Sequence, residues 1–123
     1  MDSDQDLGFL PATALAALTR SGRIGCLELL DHFIARVERL DPRINAVVVT
    51  DFERARARAR ALDSHADRTA PLFGVPMTVK ESFDVAGLPT TRGHAALREQ
   101  PVTVSSLSIR RLEAAGEIGR AHV

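Results

Sequence analysis

The chain has 123 residues, 45% hydrophobic and 26% charged, a composition typical of a soluble protein with one modest core. Sixteen acidic and sixteen basic residues cancel, so charge gives no reason to expect a nucleic-acid or membrane partner. No stretch approaches the roughly 18 apolar residues that span a bilayer, and the acidic residues 1–6 are unlike a secretory signal, which predicts a cytoplasmic protein. A single cysteine, Cys26, excludes an internal disulfide.

The first half of the chain predicts helices with one strand between them. A short helix is expected over residues 7–21, where Pro11 suits the first turn, and a longer one over residues 26–40. In the longer helix apolar residues recur at three- and four-residue steps on one face. These residues are Leu27, Leu30, Ile34, Val37 and Leu40. The β-branched run at residues 44–50 predicts a short buried strand.

Residues 51–64 are rich in arginine and alanine, which favours a helix despite the period of two in the arginines. The predicted buried stripe consists of Phe52, Ala55, Ala59 and Leu62. Nearby acidic residues offset the arginines and no aromatic rings interleave with them, which argues against nucleic-acid binding. We therefore interpret this run as a solvated helix face.

The second half predicts one further strand and one further helix. Residues 65–70 should form a loop and residues 72–80 a buried strand, with Pro76 near its start because proline lacks an amide donor. The segment 85–93 is rich in turn-forming residues. A final helix is expected over residues 102–115. The pair Ser105-Ser106 lies where that helix begins and has no flanking glycines, which favours a helix-start role over catalysis.

One basic residue differs in kind from the rest: Lys80 is the only lysine, and the other fifteen basic residues are arginine. Arginine cannot lose its proton in a protein, whereas burial can make a lysine neutral and able to accept a proton. Lys80 is therefore a candidate for proton transfer. The alternative explanation is chance under a GC-rich coding bias.

The sequence around Lys80 resembles a known family. Gly74-Val-Pro-Met-Thr-Val-Lys80, followed by Asp84-Val-Ala-Gly-Leu-Pro-Thr-Thr91 and Gly93, resembles the lysine-bearing block of the amidase-signature hydrolases. The resemblance extends over residues 12–116 and includes LDPRINA at 40–46 and RRLEAAG at 110–116. Glu81, where the family more often has aspartate, and His94, where serine is common, leave the subfamily open.

This resemblance implies an α/β fold, the N-terminal part of the amidase-signature fold with helices packed on a mixed sheet, in truncated form. It also implies hydrolysis of a carbon–nitrogen amide bond in a small-molecule substrate by a serine, cis-serine, lysine triad, without a metal or organic cofactor. Lys80 would accept a proton from the bridging serine, which takes one from the nucleophilic serine. Because a free lysine has a pKa of about 10.4, Lys80 must be desolvated to do so.

Other polar residues receive lesser roles. Asp84, Thr90 and Thr91 follow the lysine strand closely enough to border the site, and turn or capping roles fit them equally. Cys26 should be a small buried thiol. The histidines lack the paired spacing of a zinc site, and we assign none of them to metal: His32, His65, His94 and His122. The serines and the oxyanion donors should lie beyond this sequence, so the fragment alone should be inactive and expose apolar faces.

Residues 117–123, EIGRAHV, differ from the apolar strand expected after the helix. Back-translated as GAG ATC GGA AGA GCA CAC GTC, they reproduce a widely used short-read sequencing adaptor from the second base onwards, and the next adaptor triplet is a stop codon. We predict that residues 1–116 are the N-terminal portion of an amidase-signature domain and that residues 117–123 are adaptor read-through.

Two alternative functions stay open. The first is the amide-hydrolysing subunit of a transamidation complex, which would need partner subunits. The second is a noncatalytic interaction module that binds through the helices at residues 26–40 and 51–64. Substrate identity and oligomeric state are not specified by these residues.

Overall fold

The computed structural model describes residues 6–123, and the side chains of all of these except 120 and 121. The acidic residues 1–5 lie outside this range. Four α-helices are present in the described part: α1 (Ala12–Arg20), α2 (Cys26–Leu40), α3 (Phe52–Asp63) and α4 (Leu107–Ala114). The strands are β1 (Val49–Thr50), β2 (Pro76–Val79) and β3 (Ile118–His122). None of the helices within residues 6–123 has the length and apolar character needed to cross a bilayer.

The three strands form a mixed sheet in the order β1-β3-β2. The central strand β3 is antiparallel to β1, with Val49 opposite His122, and parallel to β2, with Pro76 opposite Ile118. The expected α/β fold with helices on a mixed sheet is confirmed. The central strand lies within residues 117–123, the segment predicted to be adaptor read-through.

Helix α2 has the bounds predicted from its apolar spacing, but its buried face is broader than the predicted stripe. Leu30 and Ile34 are buried as expected, and Leu29 is buried as well. The reason is that α2 is covered on two sides. Leu29 packs with Leu15 and Ala16 of α1, whereas Leu30 and Ile34 pack with α3 and the sheet.

Helix α3 confirms the prediction for the arginine-rich segment. Ala55 and Ala59 are fully buried, and Phe52 and Leu62 pack at the margin of the same cluster. Small side chains at the contact let α3 approach α2 closely.

A separate hydrophobic cluster, formed by Val79, Val85, Leu88 and Ile109, packs the end of β2 against α4 and the intervening loop.

The predicted strand at residues 44–50 is largely wrong, because the strand is confined to Val49 and Thr50, with one further bond from the Val48 amide to the His122 carbonyl at 2.9 Å. Asn45 has a φ of 54°, which breaks the extended conformation. The Asp41 carboxylate accepts hydrogen bonds from the amides of Ala46 and Val47 at 2.8 and 3.0 Å, so a side chain replaces the neighbouring strand there.

Three further boundaries differ from prediction. Helix α1 begins after Pro11, which is its N-cap residue. Strand β2 is shorter than expected and starts at Pro76, the residue predicted to lie near its beginning. Helix α4 starts at Leu107 because the preceding residues pair with the loop after β2, where the Val102 amide donates to the Leu88 carbonyl at 3.0 Å.

Candidate active site

Lys80 lies directly after β2, at the strand end predicted from the sequence. The Val123 amide donates to the Val79 carbonyl at 3.0 Å and the Glu81 amide donates to the Val123 carbonyl at 2.9 Å, so backbone bonds hold the residues on both sides of Lys80. The Phe83 amide donates to the Lys80 carbonyl at 3.0 Å and closes a tight turn. The chain therefore fixes the backbone of Lys80 firmly.

The Lys80 side chain is exposed, so the expected desolvation is not supplied by residues 6–123. Val79, just before it, is 7% exposed, which means that the apolar part of the strand ends at the lysine. Large apolar side chains near this turn are also exposed: Phe83 is 43%, Val104 64% and Leu107 53% accessible. Apolar side chains in and near the turn that follows Lys80 are thus uncovered.

Glu81 makes a hydrogen bond that sequence reasoning did not foresee. Its Oε1 accepts from the Thr91 hydroxyl at 2.7 Å, and the same hydroxyl accepts from the Gly93 amide at 3.2 Å. The turn that follows contains two left-handed residues, with φ of 49° at Arg92 and 84° at Gly93. The bond joins the peptide that carries Lys80 to this turn.

A cleft of about 500 Å³ lies beside the Glu81–Thr91 pair. Polar side chains on its walls include His94, Arg98 and Glu99, and apolar ones come from Val48, Val49 and Pro89. Its mixed lining offers hydrogen bonds and charges of both signs beside the lysine turn. The structure therefore brings Thr91 and His94 to one cleft next to the strand end.

The other predicted border residues have turn roles in this structure. Asp84 has an exposed side chain, and its carbonyl accepts from the Ser106 amide at 3.0 Å. Ser106 is the N-cap residue of α4, the helix-start position expected for the serine pair, but its hydroxyl makes no capping hydrogen bond. The Ser105 hydroxyl accepts from the Ala86 amide at 2.9 Å. The Thr90 hydroxyl is buried and has no hydrogen-bond partner among the described residues.

The histidines do not come together. His32 and His65 are exposed, His94 lines the cleft and His122 is fully buried in β3. Burial lowers the pKa of His122, while the charges of Glu81 and Asp84 and the Pro89 carbonyl oppose that shift. The Pro89 carbonyl faces the ring, but neither ring nitrogen reaches a close hydrogen-bonding geometry. Within the described residues no three potential ligand side chains converge on a metal position.

Cys26 is a buried thiol, as predicted. Burial, followed by the nearby Asp63 carboxylate, raises the pKa of Cys26 to about 12. The thiolate is the nucleophilic form of cysteine, so Cys26 has the wrong protonation state for catalysis at neutral pH.

Helices packed on a mixed sheet, with a lysine motif at the end of a strand, define this chain as part of an α/β domain. The family model named Amidase matches residues 28–122, and the chain belongs to that family. The resemblance to the amidase-signature hydrolases is thereby confirmed.

Relatives and solved structures agree with this membership. AmiB2 of Mycobacterium tuberculosis, whose name assigns it to the amidases, is 39% identical over 123 aligned residues, which cover 96% of this chain and 26% of the relative. A glutamyl-tRNA(Gln) amidotransferase subunit of Halorhodospira halophila is 34% identical over 113 residues, covering 89% of this chain and 23% of the relative. A crystal structure of a bacterial aryl acylamidase of the amidase-signature family matches with a TM-score of 0.86 at 26% identity, over 93% of this chain and 25% of that one. The chain is a fragment that spans about a quarter of the length of the curated relatives it matches.

Proposed function

We propose that the full-length protein hydrolyses a small-molecule amide in the cytoplasm through a serine, cis-serine, lysine triad in which Lys80 is the proton acceptor. The observation that carries the proposal is the position of Lys80, the only lysine of the sequence, at the end of β2 within the family's lysine block. A neutral amine there can draw a proton through the bridging serine while the nucleophilic serine attacks the carbonyl carbon.

The proposal requires the rest of the protein to cover Lys80. The exposed apolar side chains around the lysine turn support such a cover, because large uncovered apolar patches mark surfaces that pack against something else. A second uncovered surface, an apolar groove of about 410 Å³, runs between α2, α3 and β2 and includes Leu30, Phe33 and Met77. We expect later parts of the domain to pack on both surfaces.

The direct test is Lys80→Arg in the full-length protein. Arginine keeps the positive charge but cannot release its proton, so turnover of an amide substrate should fall by at least about a hundredfold while the fold is retained. Arg39→Lys is the matched control, since Arg39 is exposed on α2, and it should leave kcat unchanged. Circular dichroism checks that the Lys80→Arg variant and the wild-type protein are both folded. Wild-type turnover in the folded Lys80→Arg variant would refute the proposal.

A second candidate is the amide-hydrolysing subunit of a transamidation complex. The 34% identity to a glutamyl-tRNA(Gln) amidotransferase subunit over 89% of this chain supports it. The two candidates share the chemistry of Lys80 and differ in partners. A single amidase should turn over its amide as a purified protein, whereas a transamidation subunit should need its partner subunits for amide transfer.

We also propose that residues 117–123 derive from an adaptor sequence. The back-translation of these seven residues supports this. Long-read sequencing of the locus tests it: an intact gene that encodes these seven codons followed by the stop would contradict it.

A further inference from the structure

Glu81 connects the lysine-bearing peptide to a second segment of the chain. Its carboxylate accepts a hydrogen bond of 2.7 Å from the Thr91 hydroxyl, ten residues further on, and Thr91 is only 6% exposed. Hydrogen bonds to an ionised group are roughly twice as strong as those between neutral groups. A strong link of this kind directly beside Lys80 restrains the end of β2.

The Thr91 hydroxyl both donates and accepts a hydrogen bond. It donates to Glu81 and accepts from the Gly93 amide, while the Thr91 carbonyl accepts from the His94 amide at 2.8 Å. These bonds hold a turn in which Arg92 has a φ of 49°. A left-handed arginine costs energy and persists only where surrounding contacts fix it. The turn is therefore held in one conformation and can serve as a fixed anchor for Glu81.

The anchor leaves the lysine amine accessible. Lys80 is exposed, whereas Glu81 is half-buried and engaged with Thr91. Restraining Glu81 therefore limits the directions in which the Lys80 side chain can leave the strand, without occupying its amine. Proton transfer demands such restraint, because displacement of a reacting group by about 1 Å can lower turnover roughly a hundredfold.

We propose that Glu81 and Thr91 are positioning residues, whose hydrogen bond holds Lys80 in the direction that proton transfer from the bridging serine requires. This inference rests on the proposed function of Lys80. Thr91 would act on Lys80 only through Glu81, and its hydroxyl would be the group required for this effect.

The test compares variants of the full-length protein that remove or retain the hydrogen bond. Thr91→Val removes the hydroxyl at nearly constant shape and Glu81→Ala removes the acceptor, whereas Thr91→Ser keeps the hydroxyl and serves as the matched control. We expect Thr91→Val and Glu81→Ala each to lower kcat by roughly ten- to a hundredfold with KM almost unchanged. Thr91→Ser should retain kcat within about threefold. The double variant should be no slower than the slower single one, since both remove the same link.

The pH dependence of kcat separates positioning from mere support of the fold. The acidic limb of the kcat–pH profile should shift in Thr91→Val and stay in place in Thr91→Ser, because that limb reports the acceptor in the enzyme–substrate complex. Assays are run well below the unfolding temperature of each variant. If Glu81→Ala fails to fold, the comparison of Thr91→Val with Thr91→Ser still decides.

Three results would overturn the inference: wild-type kcat in Thr91→Val, a raised KM with unchanged kcat, or additive losses in the double variant. A raised KM would instead assign the pair to substrate binding in the adjacent cleft. An active Lys80→Arg enzyme would refute the proposed function itself. An inactive Lys80→Arg enzyme together with a fully active Thr91→Val enzyme would refute only the positioning role.

Discussion

Asp63 closes the N-terminus of α2 from the end of a different helix, and its removal should loosen that turn by a measurable amount. Its two carboxylate oxygens accept from the amides of Cys26 and Leu27 at 2.6 and 3.1 Å. The first amides of a helix have no partner within it, and a carboxylate also complements the positive end of the helix dipole. Gly25, the N-cap residue, has no side chain that could replace Asp63.

The size of the effect follows from the two bonds. A lost N-cap side chain costs about 1 kcal/mol, and a hydrogen bond to a charged group contributes about 1.5–3 kcal/mol. Both bonds share one carboxylate, and Leu27 is only half-buried, so water can replace part of the loss. We therefore expect Asp63→Ala to destabilise this turn by about 2 kcal/mol, which corresponds to roughly thirtyfold faster amide exchange.

Hydrogen exchange followed by mass spectrometry in the full-length protein measures this directly. Asp31→Ala is the matched control, because Asp31 lies on the exposed side of α2 and forms a surface ion pair with Arg56 at 2.9 Å. Such pairs contribute about 0–1 kcal/mol. The Asp63 variant should also lower the pKa of Cys26, since the Asp63 carboxylate contributes to raising it. Equal exchange rates in the two variants would refute the capping role.

Two other expectations concern stability. Gly74→Ala should lower the free energy of unfolding by about 1–3 kcal/mol more than Gly93→Ala does. Both glycines are left-handed, but a Cβ at Gly74 would collide with the Cys26 sulfur, whereas one at Gly93 meets no atom within 4 Å. Urea unfolding of the two variants should give clearly different midpoints, and equal midpoints would exclude the collision. Because burial lowers the pKa of His122 below its ordinary value of 6.5, its contribution to stability is complete above that pH and declines as the pH falls towards the folded-state pKa. Unfolding of the 123-residue chain should therefore become easier below pH 6.5, His122→Val should weaken this dependence, and an unchanged dependence in that variant would assign it to other groups.

Helices α2 and α3 were predictable because their signals are local. Apolar spacing predicts the bounds of α2, and the alanine- and arginine-rich composition predicts α3. The burial of Leu29 was not predictable in the same way, since it depends on α1 packing against a second side of α2. A single-face pattern in one helix carries no information about how many neighbours cover it.

The strand prediction at residues 44–50 failed because it, too, depended on contacts with other parts of the chain. A β-branched run favours extended backbone, but pairing requires a neighbouring strand with free hydrogen-bonding groups. Here the Asp41 side chain binds two of the amides first, and left-handed Asn45 turns the chain. Both causes involve residues common in loops, so composition alone could not reveal them.

The position of Lys80 at the end of a strand was predictable from its motif, whereas the hydrogen bond between Glu81 and Thr91 was not. The sequence marks Glu81 only as a departure from the family pattern, and Thr91 only as a residue that could border the site. It does carry one signal for their turn, the glycine at position 93, which suits a left-handed backbone. Nothing in a ten-residue separation between a glutamate and a threonine indicates a hydrogen bond.

The exposure of Lys80 has a consequence for how activity would arise. Proton acceptance by a lysine requires a desolvated amine, and the Lys80 side chain is exposed within residues 6–123. In the proposed mechanism the acceptor therefore forms only when later parts of the domain cover the apolar surface around Phe83, Val104 and Leu107. The Glu81–Thr91 link can form within this chain, because both residues belong to it. Positioning of the lysine would thus come before its desolvation, and we expect activity to require the complete domain rather than to increase gradually with chain length.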